Sequence, residues 1–226
     1  MPSTTDRFRR HMLLQALTGA GLLGGAGISG LIGQALADGI APAAQGIRRV
    51  KGSVRVNGSA AVEGTPIRSG DTVVTAANSQ VIYVIGQDAF MQRGQSRVSF
   101  GDSAAAGVFR VISGKLLSVF GQGQKHIQTP TATIGIRGTG CYIEAGKDRV
   151  YFCLCYGEAD LVPRAAPAER ETIRTTYHDH PLYIHGDRNM PKMMVSAPVI
   201  NHTDAELVLL ESLVGRRPPF DGAGSY

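Results

Sequence analysis

The sequence has no tryptophan, only three cysteines and little imbalance of charge. Three cysteines in 226 residues are too few for a fold held together by disulfides, and an odd number cannot pair completely within one chain. Charged residues make up 18% of the chain, and the net charge is only +5. A balance this mild does not favour a nucleic-acid partner. The composition therefore excludes a disulfide scaffold and predicts no binding of nucleic acid.

Glycine and apolar residues are abundant by comparison. The chain contains 29 glycines, and hydrophobic residues make up 43% of it. That apolar content is enough for a packed core, which argues against disorder of the whole chain. The glycines follow no three-residue repeat, so a collagen-like structure is excluded. The composition indicates a β-rich globular domain and does not identify its function.

Residues 1–37 are predicted to be an export signal peptide. Arg9 and Arg10 belong to a positively charged start, and residues 12–37 follow as an uncharged, largely apolar run. The arginine pair resembles a twin-arginine signal. We expect the rest of the chain to be periplasmic.

The prediction has two forms, which differ in whether this segment is cleaved off or retained. Ala35 and Ala37 flank one larger residue in a small-x-small pattern, which favours removal of the signal. The alternative is that residues 12–37 stay in place as an inner-membrane anchor with the remainder facing the periplasm. Membrane contact is then expected only through this segment, and only if it is not cleaved.

Residues 38–163 are predicted to fold as an all-β domain. Short apolar segments such as 72–75, 80–85, 108–112 and 115–120 alternate with turn residues and are predicted as separate strands. Asn57-Gly58 is a strong signal for a hairpin turn. Strands this short and evenly spaced predict a compact β-roll or solenoid-like sandwich. Residues 164–226 are predicted to be a C-terminal extension made of a loop rich in histidine and methionine and a short helix.

Three segments resemble the FecR-type periplasmic domain: residues 70–75, 108–116 and 127–139. The most specific motif residues are Thr129, Pro130, Ile136, Arg137, Gly138 and Thr139. The resemblance implies an all-β roll outside the inner membrane, which in signalling members relays a signal from an outer-membrane receptor to a sigma factor. Only about eleven residues precede the apolar run, too few to fold as an anti-sigma domain. We therefore expect a stand-alone exported member of this family.

Arg137 within this motif has two interpretations. It is either part of a ligand site or a buried side chain whose five donors hydrogen-bond loop carbonyls and hold neighbouring coils together. The second interpretation is favoured because the adjacent glycine permits close approach of strands.

The three cysteines are predicted to lie close together. A three-residue loop at 146–148 would place Cys141 opposite Cys153, and Cys155 would share the face of Cys153 because side chains alternate along a strand. Three alternatives remain: a Cys141–Cys153 disulfide, buried free thiols, or a site for a soft metal ion.

Histidines are concentrated just after the predicted β domain. His178, His180 and His185 lie within eight residues, and three methionines follow shortly afterwards. Together with the cysteines they form a candidate metal set in which ligand softness favours copper, and zinc next. The alternative is a surface loop whose histidines contact solvent and backbone carbonyls, since the spacing matches no zinc-hydrolase motif. No cofactor is required by the sequence.

A short helix is predicted after Thr203. Thr203 and Glu206 form a capping box, an apolar stripe follows, and Gly215 marks the end of the helix. The stripe is expected to pack on the β domain.

No catalytic constellation is recognisable, so the protein is predicted not to be an enzyme. The leading hypothesis is an exported binding or interaction module in envelope signalling or sensing, whose partner is another envelope protein or an unknown ligand. The alternative hypothesis is a periplasmic protein that binds copper or zinc through its Cys and His/Met segments.

Overall fold

The computed structural model describes residues 43–101 and 107–220. The predicted signal peptide and its cleavage site lie outside the described residues. Within the described residues, no helix has both the length and the apolar character that crossing a bilayer requires.

The described part of the chain is all-β, as predicted, and adds one short helix. Fourteen strands form a single sheet. The strands are β1 (Gly46–Lys51), β2 (Val54–Val56), β3 (Ser59–Ala60), β4 (Thr72–Thr75), β5 (Gln80–Ile85), β6 (Asp88–Gln92), β7 (Ser96–Phe100), β8 (Val108–Val119), β9 (Gln124–Gln128), β10 (Ala132–Ala145), β11 (Arg149–Pro163), β12 (Glu171–Thr175), β13 (Leu182–His185) and β14 (Met194–Ser196). The helix, α1, covers Asp204–Leu213.

Local sequence explains several of these elements directly. Asn57 and Gly58 form the turn between β2 and β3, and both have positive φ angles of 50° and 83°, as the favoured hairpin turns require. Strand β8 joins two segments that the sequence predicted as separate strands. Gly114, inside β8, has a φ of 85°, so the strand changes direction there without a break.

The sheet folds back on itself around one apolar core. Strands β8, β10 and β11 are long, and each pairs with different neighbours along its length. The two halves of the sheet touch: the rings of Tyr83 in β5 and Phe100 in β7 are 5.9 Å apart. Gln92 in β6 donates to the carbonyl of Val73 in β4. We call the apolar residues between the halves the inner core; they include Val73, Tyr83, Cys141, Phe152 and Leu154.

The opposite face of β5, β6, β8, β10 and β11 is also buried. Alternation sends Phe152 and Leu154 into the inner core, whereas Tyr151 and Cys153 point to this second face. Helix α1 covers it with Leu207, Leu209 and Leu210, and we call the combined group the outer cluster. This arrangement places β11 between two apolar layers and explains why its sequence reads as an almost continuous apolar run.

The residues after 163 join the same sheet. Strands β12 and β13 both pair with β11, and β14 pairs with β13. The predicted helix is confirmed: the side chain of Thr203 caps it, and Glu206 completes the capping box. Its apolar stripe packs on the sheet, as expected.

The residues of the FecR-type motif have structural roles, with the exception of Arg137. Thr129 exchanges hydrogen bonds with Ala132 and closes the turn between β9 and β10 around Pro130. Ile136 and Thr139 are buried, and Gly138 has a positive φ of 54°.

Arg137 is the exception, and the expectation that it is buried is wrong. It is exposed at a register irregularity of β10, opposite Glu158. Ile136 before it points into the inner core, so the alternation of side chains along β10 turns Arg137 towards solvent.

Candidate metal centre

The register between β10 and β11 separates Cys141 from the other two cysteines. Cys141 lies opposite Leu154, and Cys153 lies opposite Tyr142, so the predicted pairing of Cys141 with Cys153 is wrong. The register pair nearest the turn is Ala145 with Val150. The turn between this pair covers residues 146–149, and within it the backbone N–H of Gly146 donates to the carbonyl of Arg149. The turn is thus one residue longer than predicted, and a shift by one residue moves a side chain to the other face.

The faces of the sheet to which the side chains point confirm that Cys141 is separated from the other two cysteines. Cys141 belongs to the inner core, whereas Cys153 and Cys155 belong to the outer cluster. All three cysteines are buried and free. The Cys141–Cys153 disulfide, one of the three alternatives, is therefore not formed, and the cysteines that share a face are Cys153 and Cys155.

A bulge fixes the orientation of Cys155. The register passes from Cys141 opposite Leu154 to Gly140 opposite Tyr156, which leaves Cys155 as the additional residue on β11. Cys155 and Tyr156 consequently both belong to the outer cluster.

Two histidines reach this pair of cysteines from different elements. The loop after β12 folds over β11, where the backbone N–H of His178 donates to the carbonyl of Cys155 at 3.0 Å. The His178 Nδ1 atom then lies 3.5 Å from the Cys153 sulfur. His202, two residues before α1, places its Nε2 atom 3.1 Å from His178 Nδ1. The ligand atoms of Cys153, Cys155, His178 and His202 all lie within 4.8 Å of one another.

The outer nitrogen of each imidazole is held by an acceptor. His178 Nε2 lies 3.2 Å from a carboxylate oxygen of Asp204, and His202 Nδ1 lies 2.7 Å from the carbonyl of Ile200. Since carboxylates and carbonyls only accept, these outer nitrogens carry the protons of the neutral rings. The two inner nitrogens then both present lone pairs, which repel at 3.1 Å unless a metal ion or one additional proton lies between them.

The spacing fits a tetrahedral ion. With zinc–sulfur distances of about 2.3 Å and zinc–nitrogen distances of about 2.0–2.1 Å, a tetrahedron has N···S edges of about 3.6 Å and N···N edges of about 3.3 Å. The corresponding separations here are 3.5 Å between His178 and Cys153 and 3.1 Å between the two imidazoles. Metal-binding histidines usually donate their other N–H to a carboxylate or a carbonyl, and here one of each is present.

The thiols are polarised by their surroundings. Interaction with Cys155, and then with His178 and His202, lowers the pKa of Cys153 despite its burial. Burial raises the pKa of Cys155, and the hydrogen bond between Cys155 and Cys153 raises this pKa further. A bound cation would deprotonate both, so the pair would supply two thiolates.

Aromatic side chains enclose the four residues. The ring of Tyr142 stacks on His202 with centroids 4.7 Å apart. Tyr177 meets the His178 ring edge-on at 5.0 Å, and Phe220 lies 6.1 Å from it. Both cysteines are 0% exposed and His202 is 9% exposed. The site is closed, which is typical of structural rather than catalytic zinc.

Cys153, His178 and Asp204 also form a line of thiol, imidazole and carboxylate that could, in an open cleft, serve nucleophilic catalysis. Here the sulfur of Cys153 is fully buried, and a second imidazole and a second thiol face it. This surrounding fits the coordination of an ion better than the approach of a substrate.

The other candidate residues lie elsewhere. His180 is exposed and pairs with Glu171 at 3.5 Å, and His185 lies in β13 opposite Arg149. Met193 and Met194 lie beyond β13, around the start of β14, where Met194 pairs with Ile184. Cys141, His180 and His185 therefore do not belong to the group of four, and the predicted metal set is corrected to Cys153, Cys155, His178 and His202.

Sequence reasoning missed His202. It stands alone in the sequence, 24 residues after His178. The available signal was the capping box that begins at Thr203, because a residue just before a helix that packs on the sheet has a fixed position.

No family model matches the chain, and no curated protein matches it. Among solved structures, two crystal structures of a candidate anti-sigma factor from Parabacteroides distasonis are similar to it, each with a TM-score of 0.46. Sequence identity is 5% in the first and 6% in the second, and each match covers 56% of this chain and 58% of the other. This chain thus matches little more than half the length of that protein, and the likeness carries no argument about function.

Proposed function

We propose that the protein is an exported, non-catalytic module whose β-sheet carries a closed Cys2His2 centre, and that binding a zinc ion there is its biochemical function. The observation that carries the proposal is the convergence of four donor atoms within 4.8 Å. Both imidazoles turn an unprotonated nitrogen into the group, since Asp204 and the Ile200 carbonyl hold the other two.

Zinc is preferred to copper because of the ligands that are absent from this group. The expectation of copper depended on methionine sulfur beside histidine, and Met193 and Met194 lie beyond β13, away from the group. Two thiolates and two imidazoles in a closed tetrahedral arrangement are a common ligand set of structural zinc. Copper(I) also accepts thiolate ligands and is the competitor that a metal analysis must separate.

The ion would join three parts of the fold. Two ligands belong to β11, one to the loop that follows β12, and one to the segment that leads into α1. A ligand that binds only the folded state adds about 4 kcal/mol of stability when its concentration is a thousand times its dissociation constant. We propose that this contribution holds α1 and the His178 loop against the sheet.

The cellular role that we propose rests on the sequence. The signal-like residues 1–37 and the FecR-type motif at 127–139 support a periplasmic interaction module that takes part in envelope signalling or sensing. In this role the metal centre keeps the outer face of the sheet covered, and the partner is another envelope protein. Localisation of the expressed protein by fractionation tests this part independently of metal content.

The metal proposal is tested by elemental analysis of purified protein. We expect one zinc per chain in the wild type, and its loss in Cys153→Ser and in Cys155→Ser. The matched control is Cys141→Ala, which should keep its zinc because Cys141 faces the inner core. Copper in place of zinc would correct the metal, and metal-free protein with no affinity for added zinc would refute the proposal.

A further inference from the structure

Cys153 and Cys155 differ from an ordinary pair of metal ligands because they are also neighbours on one face of one strand. Their sulfurs lie within 4.8 Å of each other. Because side chains alternate along a strand, the side chain of the residue between them points to the opposite face. Residues two apart along a regular strand have Cα atoms about 6.6 Å apart, which is near the upper end of the range of about 4.4–6.8 Å that disulfides span. The bulge at Cys155 bends the strand at this point. A short movement would therefore bring the two sulfurs into bonding distance.

We infer that the centre is a redox-sensitive clasp, in which hydrogen peroxide converts Cys153 and Cys155 into one disulfide and the metal ion leaves. This inference rests on the proposed function, since it assumes that the two sulfurs hold an ion in the reduced state. It concerns the regulation of that site by an oxidant.

The chemistry balances in two steps. The Cys153 thiolate attacks one oxygen of hydrogen peroxide, the O–O bond breaks, hydroxide leaves, and Cys153 becomes a sulfenic acid. The Cys155 thiolate then attacks that sulfur, an S–S bond forms, the S–O bond breaks, and a second hydroxide leaves. Peroxide accepts two electrons in total, and the two sulfurs supply them. The disulfide no longer offers thiolate ligands, so two of the four donors are lost.

The position of Cys141 makes the reaction selective. It lies on the opposite face of the sheet in the inner core, and burial raises the pKa of its thiol. A protonated, enclosed thiol is a poor nucleophile. The third cysteine should therefore stay reduced while the other two react.

The oxidant has a short path to the sulfurs. Hydrogen peroxide is only slightly larger than water, and the loop that carries His178 covers part of the site. Its neighbour Tyr177 is 41% exposed. Brief opening of this loop is enough to admit the oxidant, whereas larger oxidants should react more slowly.

The loss of the ion has a local structural consequence. Without the ion the inner nitrogens of His178 and His202 have no shared partner, so the His178 side chain loses its link to β11, while its backbone N–H still donates to the Cys155 carbonyl. Helix α1 keeps other contacts, including the pair between Arg93 and Glu206 at 3.0 Å and the buried Leu210. Oxidation should therefore loosen residues 176–181 and 200–203 while the sheet stays folded.

The test uses the purified, zinc-loaded protein. Hydrogen peroxide is added in the presence of a chromogenic zinc chelator, and released zinc, remaining thiols and peptide masses are followed together. We expect one zinc released and two thiols lost per chain, with a disulfide inside the peptide that contains residues 153–155. Hydrogen exchange should increase in residues 176–181 and 200–203 only.

Two variants sharpen the result. Cys141→Ala should release zinc as the wild type does, because this residue takes no part. Cys155→His leaves no second sulfur, so peroxide should stop at a sulfenic acid on Cys153 instead of a disulfide. Zinc loaded onto this variant should stay bound at peroxide concentrations that empty the wild type.

The outcomes separate this inference from the proposed function. Protein that never binds zinc contradicts the proposed function. Zinc that is bound and stays bound in peroxide, or thiols that end as sulfinic acid, as dimers or as a disulfide with Cys141, overturn the clasp alone. Equal release of zinc from Cys155→His also overturns it.

Discussion

Asp204 and His178 are joined by a hydrogen bond of 3.2 Å between a carboxylate oxygen and Nε2. Asp204 is the first residue of α1 and also accepts from the hydroxyl of Tyr177 at 2.7 Å. The helix thus orients an imidazole that belongs to a different part of the chain. It also fixes which nitrogen of that ring points at Cys153.

This relationship predicts that Asp204→Ala weakens zinc binding without abolishing it. Partners of this kind typically contribute a factor of about 10–100 in metal affinity, and all four ligands remain in the variant. Competition with a chromogenic chelator measures the change. Asp148→Ala, which removes an exposed carboxylate in the β10–β11 turn, is the control and should bind zinc as the wild type does. Unchanged affinity in Asp204→Ala would show that the carboxylate does not position His178.

Thr203→Ala is expected to destabilise the helix start. The Thr203 hydroxyl accepts from the backbone N–H of Glu206, and losing an N-cap of this type costs about 1 kcal/mol. Because His202 and Asp204 flank this residue, zinc affinity should fall together with the free energy of unfolding. Thr203→Ser keeps the cap and should show neither effect. Denaturant unfolding and zinc titration of the same preparations measure both.

Leu210→Ala tests the packing of α1 on the outer cluster. The side chain is 0% exposed, and truncating a buried leucine costs about 2–5 kcal/mol. The free energy of unfolding of the zinc-loaded protein should fall by this amount. Val62→Ala removes a side chain that is 68% exposed and should change it by less than about 0.5 kcal/mol. Similar losses in the two variants would mean that α1 contributes no buried surface.

Gly114→Ala and Gly58→Ala separate backbone strain from crowding. The two glycines have nearly equal φ angles of 85° and 83°. A Cβ atom at Gly114 would lie 2.5 Å from the backbone Cα atom of Ser96, whereas one at Gly58 would meet nothing within 4 Å. Gly58→Ala should cost about 1 kcal/mol for the strained backbone, and Gly114→Ala clearly more. Equal melting temperatures for the two variants would contradict this account of β8.

Local features of the fold were predictable because they depend on neighbouring residues. The hairpin at Asn57-Gly58, the strand β4 and the capping box at Thr203 all follow from a few consecutive side chains. The merger of two predicted strands into β8 was not predictable from the same information. A glycine with positive φ permits either a turn or a bend, and the neighbours of Gly114 decide between them.

The metal centre was only partly predictable. Parity along β11 gave Cys153 and Cys155 a common face, but the position of Cys141 depended on the length of one turn. That turn closes through a hydrogen bond between Gly146 and the carbonyl of Arg149, which no spacing rule specifies. The capping box showed where α1 begins, and so that His202 lies just before it, but only the tertiary packing of α1 brings His202 to the sulfurs.

The donors of the centre are spread over positions 153 to 202, and this spread sets an order of assembly. Closing a chain segment of this length has an entropic cost that grows with the logarithm of its length, so we expect the four donors to meet only after the strands between them have paired. A nascent chain that has formed only β11 contains Cys153 and Cys155, but neither His178 nor His202 has yet reached them. High-affinity uptake of the ion then marks the moment at which β11, the His178 loop and α1 have all reached their final positions. The visible absorbance of a cobalt-substituted centre would therefore report when the last step of folding is complete.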